Sequence, residues 1–154
     1  MLKIRPATPA DASTIADFNH AMAVETEHLQ LDRERLLQGV QAVIHDPAKG
    51  SYLVAESDDR NVIGQLLVTF EWSDWRNGVF WWVQSVYVHP DHRGQGVYKA
   101  LYQETLARAQ SAGNVCGIRL YVERDNRRAK QTYLSQGMHA TDYEMWETDF
   151  VLTR

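Results

Sequence analysis

The sequence predicts an α/β (α+β) fold in which a mixed, mostly antiparallel central sheet is flanked by about four helices. Three observations carry that expectation. Three β-rich runs follow one another between residues 51 and 88 with only short polar turns between them, and such turns join antiparallel neighbours. A strand, a helix and another strand then succeed one another, and that order implies a right-handed parallel crossover. Apolar residues recur at helical spacing before, between and after these runs.

The elements follow in chain order. Leu2 to Arg5 alternates as a short strand, and Thr8-Pro9-Ala10-Asp11 supplies an N-cap, a proline at the first helical position and a capping-box acid. The first helix carries Ile15, Phe18, Met22 and Ala23 on one face. Asp32 caps a second helix with Leu36, Leu37, Val40 and Val43, which Asp46-Pro47 ends. Ser51 to Glu56 and Val62 to Trp72 form a hairpin through Asp58-Asp59-Arg60-Asn61. Trp75-Arg76-Asn77-Gly78 turns into a third strand, Val79 to Val88. Tyr98, Leu101, Tyr102, Leu106 and Ala109 mark a third helix that Ala112-Gly113-Asn114 stops, and Gly117 to Val122 reads as a buried strand. A fourth helix spans roughly residues 126 to 136, and residues 143 to 152 are expected to add a last strand. No repeat or linker interrupts the chain, so residues 1–154 read as a single domain.

Composition narrows the function. A chain of 154 residues with 44% apolar side chains can bury an adequate core without staples. No apolar run approaches the ~18 residues of a membrane span, and the start of the chain lacks a secretory signal pattern, so the expected location is cytoplasmic, with no membrane partner. The single cysteine, Cys116, can form no internal disulfide and is expected to fill a buried strand. A formal charge of −4 argues against nucleic acid as a partner. His89 and His92 lack metal-ligand spacing and a third ligand, so no metal is assigned.

The chemistry is concentrated where a strand, a glycine-bearing loop and a helix meet, over Val86-Tyr87-Val88-His89-Pro90-Asp91-His92-Arg93-Gly94-Gln95-Gly96-Val97-Tyr98. The first N–H groups of a helix lack intrahelical partners, the helix dipole adds positive potential, and glycines let phosphate oxygens reach the main chain. His92, Arg93 and Lys99 oppose that dipole by roughly 0.3–1 kcal/mol each unless a polyanion is bound. The spacing is neither a dinucleotide fingerprint, which would need glycine at Lys99, nor a phosphate-binding P-loop. A glycine-relaxed loop capping an ordinary helix is the bland alternative.

This segment resembles the acetyl-CoA loop of the GNAT superfamily of N-acetyltransferases, in which Arg or Gln is followed three residues later by Gly and two further on by Gly or Ala. Arg93 and Gly96 match, and Tyr98 departs from the pattern. A second stretch, Asn126-Arg127-Arg128-Ala129-Lys130-Gln131-Thr132-Tyr133-Leu134-Ser135-Gln136-Gly137-Met138, resembles the family's pattern of Asn, Ala, Tyr and Gly at positions 126, 129, 133 and 137. The resemblance implies a GNAT-like acyl-CoA N-acyltransferase fold with acetyl-CoA as co-substrate. It implies that Val86, Tyr87, Val88, Arg93, Gly94, Gln95, Gly96, Val97 and Tyr98 line the cofactor, with Asn126 on the pantetheine arm. It makes Tyr133 the acid that protonates the departing thiolate.

Acyl transfer to an amine also needs a base, and many relatives place a carboxylate just before the loop, where this chain has Gln84-Ser85. A water chain or a carboxylate from elsewhere must serve, and Glu71, Glu25 and Glu27 are the candidate carboxylates. Phe70-Glu71-Trp72-Ser73-Asp74-Trp75 with Phe80-Trp81-Trp82 forms an aromatic, acidic wall suited to a cationic amine, and resembles that of diamine and polyamine acetyltransferases. The expected acceptor is the primary amine of a small molecule, reached by direct transfer in a ternary complex. Protein N-termini or lysines, a non-catalytic acyl-CoA sensor, and a homodimeric assembly stay open as alternatives.

Overall fold

In the computed structural model, residues 1–152 are described. The strands are β1 (Lys3–Pro6), β2 (Ser51–Glu56), β3 (Val62–Ser73), β4 (Gly78–Val88) and β5 (Val115–Arg119). The helices are α1 (Ala12–Glu27), α2 (Arg33–His45), α3 (Val97–Ala112) and α4 (Arg127–Ser135). The chain divides into two compact units, the first spanning Met1–Leu120 and the second beginning at Tyr121.

The first unit holds one five-stranded sheet in the order β1-β2-β3-β4-β5. All neighbours are antiparallel except β4 and β5, which are parallel across the α3 crossover. Alternation along β2 separates two cores. Leu53 and Ala55 join Leu66, Val68 and Val83 under Val97 and Leu101 of α3. Tyr52 and Val54 join Leu67 under Ala12, Ile15 and Ala16 of α1 and Val40 of α2. The sheet is therefore covered on both faces, and at ~25 cal/mol per Å² of apolar area the two cores supply the main drive to fold.

Helix entry follows the predicted caps. The Asp11 carboxylate accepts from the Thr8 main-chain N–H at 2.7 Å and from Thr8 Oγ1 at 3.2 Å, ahead of α1. Asp32 Oδ1 accepts from Arg35 N–H at 3.0 Å and starts α2. Asp11 is also clamped by Arg5, whose Nη1 and Nη2 lie 2.8 and 3.1 Å from its two oxygens, while Arg5 Nε reaches Glu56 at 2.6 Å. This partly buried network ties β1 and β2 to the start of α1.

Two expectations require correction. The strand expected over 117–122 begins two residues earlier, because Val79 at the start of β4 pairs with Val115, and it ends at Arg119. Residues 143 to 152 form no strand: they carry no ladder partner, and Tyr143, Met145, Trp146 and Phe150 are largely exposed. Their β-rich composition is insufficient, since a strand is stabilised by its cross-strand pairs. In the second unit, α4 starts where Asn126 Oδ1 accepts from Ala129 N–H at 3.1 Å and stops before Gly137, whose φ is 85°.

The Arg5 hydrogen bonds hold the Asp11 carboxyl below its ordinary value, against the opposing effect of burial. A lowered folded-state pKa gives stability that is complete above the unfolded value of ~3.9 and lost as pH falls below it. Asp11→Asn should cost about 1.5–3 kcal/mol at pH 7, as for hydrogen bonds to charged groups. Urea melts from pH 7 to pH 3 should show the gap between wild type and variant narrowing below about pH 4. A gap independent of pH would refute the assignment.

Candidate active site

The site in the first unit is built on a local irregularity of β4. Leu67 pairs with Gln84, but Gln65 pairs with Tyr87, so Ser85 and Val86 together stand opposite Leu66. This is a β-bulge, and Ser85 has φ 49°, a left-handed value that glycine usually supplies. The extra residue reverses the pleat. Trp81 and Val83 before it face the α3 core, and beyond it Val86 and Val88 face that same core. Tyr87 is thereby turned to the opposite face, where its ring lies 5.1 Å from that of Phe18 on α1.

The same strand is paired unequally on its two edges. Its parallel register with β5 runs from Val79 opposite Val115 to Trp82 opposite Arg119 and stops there, whereas pairing with β3 continues to Val88. Residues 83–88 thus have no β5 partner in the ladder, and their main chain lies outside the parallel pairing on that edge. Immediately beyond, Arg93 leads into Gly94 and Gly96, with φ 76° and 80°. Gly96 caps α3 and offers no side chain to its opening N–H groups. A Cβ added at either glycine would meet nothing within 4 Å, so the space before the helix is open. At Gly64 on β3 a Cβ would lie 2.9 Å from Val97 Cγ1, and this close approach seats the first turn of α3 against the sheet.

Arg93 is anchored from two directions. Its Nε donates to the Val88 carbonyl at 2.9 Å, and its Nη2 donates to Glu25 Oε2 at 3.0 Å. Glu25 lies at the C-terminal end of α1, and its other oxygen accepts from Tyr87 Oη at 2.9 Å. The guanidinium sits 5.2 Å from the Tyr87 ring centroid. The hydrogen bond from Tyr87 and the Arg93 cation hold Glu25 below the usual carboxylate range, while burial and Glu25 raise the Tyr87 phenol. Gln95 is exposed and donates from Nε2 to the Asp91 carbonyl at 3.3 Å.

The other carboxylate predicted on the sheet is differently placed. Glu71 Oε1 accepts from Arg119 Nη1 at 2.6 Å and from Trp82 Nε1 at 3.4 Å. The expected aromatic wall is divided: Phe80 is buried and its ring carries Arg119 at 3.7 Å and Arg76 at 4.9 Å, while Trp72 and Trp75 are exposed. On Phe80, one of the rings that sequence reading offered to an amine, the cation-attracting position is taken by the protein's own arginines. Gln84 Nε2 is hydrogen-bonded to Thr69 Oγ1. Cys116 is half-buried within β5, less enclosed than expected for strand filler.

In the second unit, Asn126 and Tyr133 lie on one face of α4, seven residues and roughly 10 Å apart along the axis. Capping uses the Asn126 Oδ1 acceptor and leaves its amide NH2 as a separate donor. Tyr133 is half-buried. Sequence reading missed Gln65 and Asn19, buried polar residues behind the bulge; the signal was a glutamine inside an otherwise apolar strand with both faces covered. Among the described residues no three His, Cys, Asp or Glu side chains group as a metal site, and no helix is long and apolar enough to cross a membrane.

Residues 14–138 match the family model described as acetyltransferase (GNAT) family. A possible acetyltransferase from Clostridium difficile 630 is 41% identical over 99% of both chains, with a TM-score of 0.90. A predicted acetyltransferase from Clostridium acetobutylicum, solved with acetyl-CoA, is 18% identical over 98% of this chain and 97% of that one, with a TM-score of 0.77. A ribosomal-protein-alanine N-acetyltransferase from Brucella melitensis biovar Abortus 2308 is 21% identical over 97% of this chain and all of that one, at 0.74. The last two likenesses establish the fold alone. No curated protein is significantly similar to the sequence.

The Tyr87–Glu25 contact makes its own prediction. A hydrogen bond to an ionised carboxylate favours the charged form, so Tyr87→Phe should raise the Glu25 pKa toward its ordinary ~4.3. Carbon-13 NMR titration of the Glu25 carboxyl reads this directly. An unchanged value would mean that the bond does not persist in solution.

Proposed function

The chain belongs to the acetyltransferase (GNAT) family, and from that membership we propose that it moves the acetyl group of acetyl-CoA to the primary amine of a small molecule, by direct transfer in a ternary complex. One observation carries the reading: the edge of β4 left open over residues 83–88 runs directly into a glycine-capped helix start. An extended pantetheine arm has main-chain partners along Val86, Tyr87 and Val88. A pyrophosphate has N–H groups and positive potential at Gly94, Gln95, Gly96, Val97 and Tyr98. The acetyl-CoA in the Clostridium acetobutylicum structure supports the same cofactor here. The two units act as one domain in this reading, because the family match runs across the boundary at Tyr121.

The chemistry sets what the side chains must do. An alkylammonium of pKa ~10.4 is neutral about once in 2,500 molecules at pH 7, a cost of roughly 4.6 kcal/mol. The neutral nitrogen attacks the thioester carbonyl carbon, a main-chain N–H of Val86 to Val88 stabilises the oxyanion, and the carbon–sulfur bond then breaks. The attacking nitrogen passes its surplus proton to the base as the carbon–sulfur bond breaks, and Tyr133 hydrogen-bonds the departing sulfur, gives it a proton and is reprotonated from solvent. The Asn126 amide donates to the pantetheine arm. Direct transfer is favoured because Cys116 stands within a strand rather than at an activating helix start.

Glu25 is the base we favour. A bound pyrophosphate competes with Glu25 for Arg93, and once Arg93 turns to the phosphates Glu25 loses one of the groups that depress its pKa. It then gains basicity and room for an ammonium at the moment the cofactor is in place, so acetyl-CoA binds first. Glu71 is neutralised by Arg119, and Glu27, two residues along α1, is the reserve.

Thiol release from acetyl-CoA with a panel of diamines, amino sugars and amino acids, extended to peptides, tests the activity and the acceptor class together. Turnover with small amines and none with peptides is the expected result; peptides alone would transfer the assignment to a protein acetyltransferase, and no turnover would make the chain a sensor. Tyr133→Phe should lose at least tenfold in kcat with acetyl-CoA affinity little changed, since general acids contribute ~10²–10⁴-fold. Gly96→Asp should weaken acetyl-CoA binding in calorimetry more than Gly96→Asn does. Both residues tolerate the left-handed φ of 80°, and only Asp adds a charge facing the phosphates. Equal affinity in the two variants would remove the loop from the cofactor site.

A further inference from the structure

Gln65 is fully buried on β3, the strand that faces the bulge, and its side chain links that bulge to α1 by hydrogen bonds. Its Nε2 donates to the Ser85 carbonyl at 3.1 Å and to Asn19 Oδ1 on α1 at 2.7 Å. Asn19, itself buried, donates onward from Nδ2 to Tyr52 Oη on β2 at 3.4 Å. Gln65 Oε1 is buried and has no hydrogen-bond partner. An amide that leaves its own oxygen unsatisfied is a costly way to fill an apolar core, and a side chain such as methionine would fill it without that cost.

The bond to Ser85 accounts for the amide. Ser85 holds φ 49°, which a residue with a side chain adopts only when its surroundings enforce it. The Gln65 amide enforces it from behind, by fixing the direction of the Ser85 carbonyl. That carbonyl belongs to the residue whose insertion reverses the pleat, so the same bond decides which face Tyr87 takes and which main-chain groups of Val86 to Val88 lie on the open edge.

We propose that Gln65 is a positioning residue for acyl transfer, which braces the Ser85 bulge from α1 and β3 and so aims both the Val86–Val88 main chain and the Tyr87 hydroxyl. The catalytic part of this proposal rests on the acetyltransferase reading given above, and the brace itself rests on geometry alone. Gln65 touches no substrate. Its influence passes through the backbone of β4.

The test pairs Gln65→Met, which keeps the volume and removes the amide, with Ser85→Gly, which makes the left-handed φ easy without a brace. Two readouts are taken on folded protein: the Glu25 pKa by NMR, and kcat and KM for acetyl-CoA with the best amine of the panel. Gln65→Met should raise the Glu25 pKa by releasing Tyr87, and should lower kcat about 10²-fold, the scale of a misplacement of about 1 Å, with a smaller change in KM. Adding Ser85→Gly to Gln65→Met should return both quantities most of the way to their wild-type values. General destabilisation would not be rescued in this way. If Gln65→Met fails to fold, Gln65→Asn, one methylene too short to reach Ser85, takes its place. Wild-type kcat in the folded variant, or a double variant that recovers neither quantity, overturns the brace. A shifted and rescued Glu25 pKa in a protein without turnover on any amine or peptide overturns the catalytic role and the enzyme reading while the brace stands.

Discussion

A single inserted residue in β4 is the constraint on which the site depends. In an uninterrupted strand Val83 and Tyr87, four residues apart, would point to the same face. Here Val83 faces the α3 core while Tyr87 meets Phe18 and Glu25 on the α1 side. Without the bulge Tyr87 would be driven under α3, Val86 and Val88 would turn toward α1, and the carboxylate at the end of α1 would lose its phenolic partner. The strained φ at Ser85 is thus a local cost that decides the chemistry of both faces of the strand's last third.

From that geometry follows an electrostatic arrangement that would otherwise work against itself. Cations at the start of a helix oppose its dipole, and Arg93 stands just before α3. Glu25 answers it from another element, and the Val88 carbonyl takes a second N–H of the same guanidinium. The loop is therefore balanced in the absence of a polyanion. A polyanion that binds there has to draw Arg93 from a half-exposed carboxylate, which solvent screens strongly, so the exchange is cheap. In the proposed reading the free and bound states differ by one side chain changing partner.

Most of the fold was legible because its signals are local. Thr8, Asp32, Gly96, Gly113 and Gly137 each mark a helix boundary by a preference of the backbone that acts within a few residues. The hairpin turns at 58–61 and 75–78 were readable for the same reason. The bulge was not, since Gln84-Ser85-Val86 has no glycine and reads as ordinary strand, and its cause lies at Gln65, twenty residues earlier in sequence. The two-residue displacement of β5 has a similar origin, because the register of a parallel pair is decided by packing across the sheet and not within the strand. The expected last strand over 143–152 shows the limit of composition, which names residues that suit a strand without naming a neighbour. At the candidate site, the loop of Arg93, Gly94 and Gly96 was legible from its place before a helix and from a family resemblance, whereas the pairing of Glu25 with both Arg93 and Tyr87 was not, since it joins residues sixty or more positions apart.

The two ends of β4 now have different roles, and the difference bears on how an acceptor approaches. Residues 79–82 are paired on both edges, and around them Arg119 covers Phe80 and neutralises Glu71. That end has committed the Phe80 ring and the Glu71 carboxylate to the protein's own cation, so an ammonium incoming to either would have to displace a guanidinium held by an ion pair and a ring at once. Residues 83–88 are paired on one edge only, and the acid beside them, Glu25, is bound to an arginine that a phosphate group can draw away. An amine attracted to that acid arrives where the strand's main chain is open, on the face to which the bulge has turned Tyr87. In the proposed reading acceptor and cofactor thus meet along residues 83–88, and the order in which they bind follows from which of them can free the carboxylate.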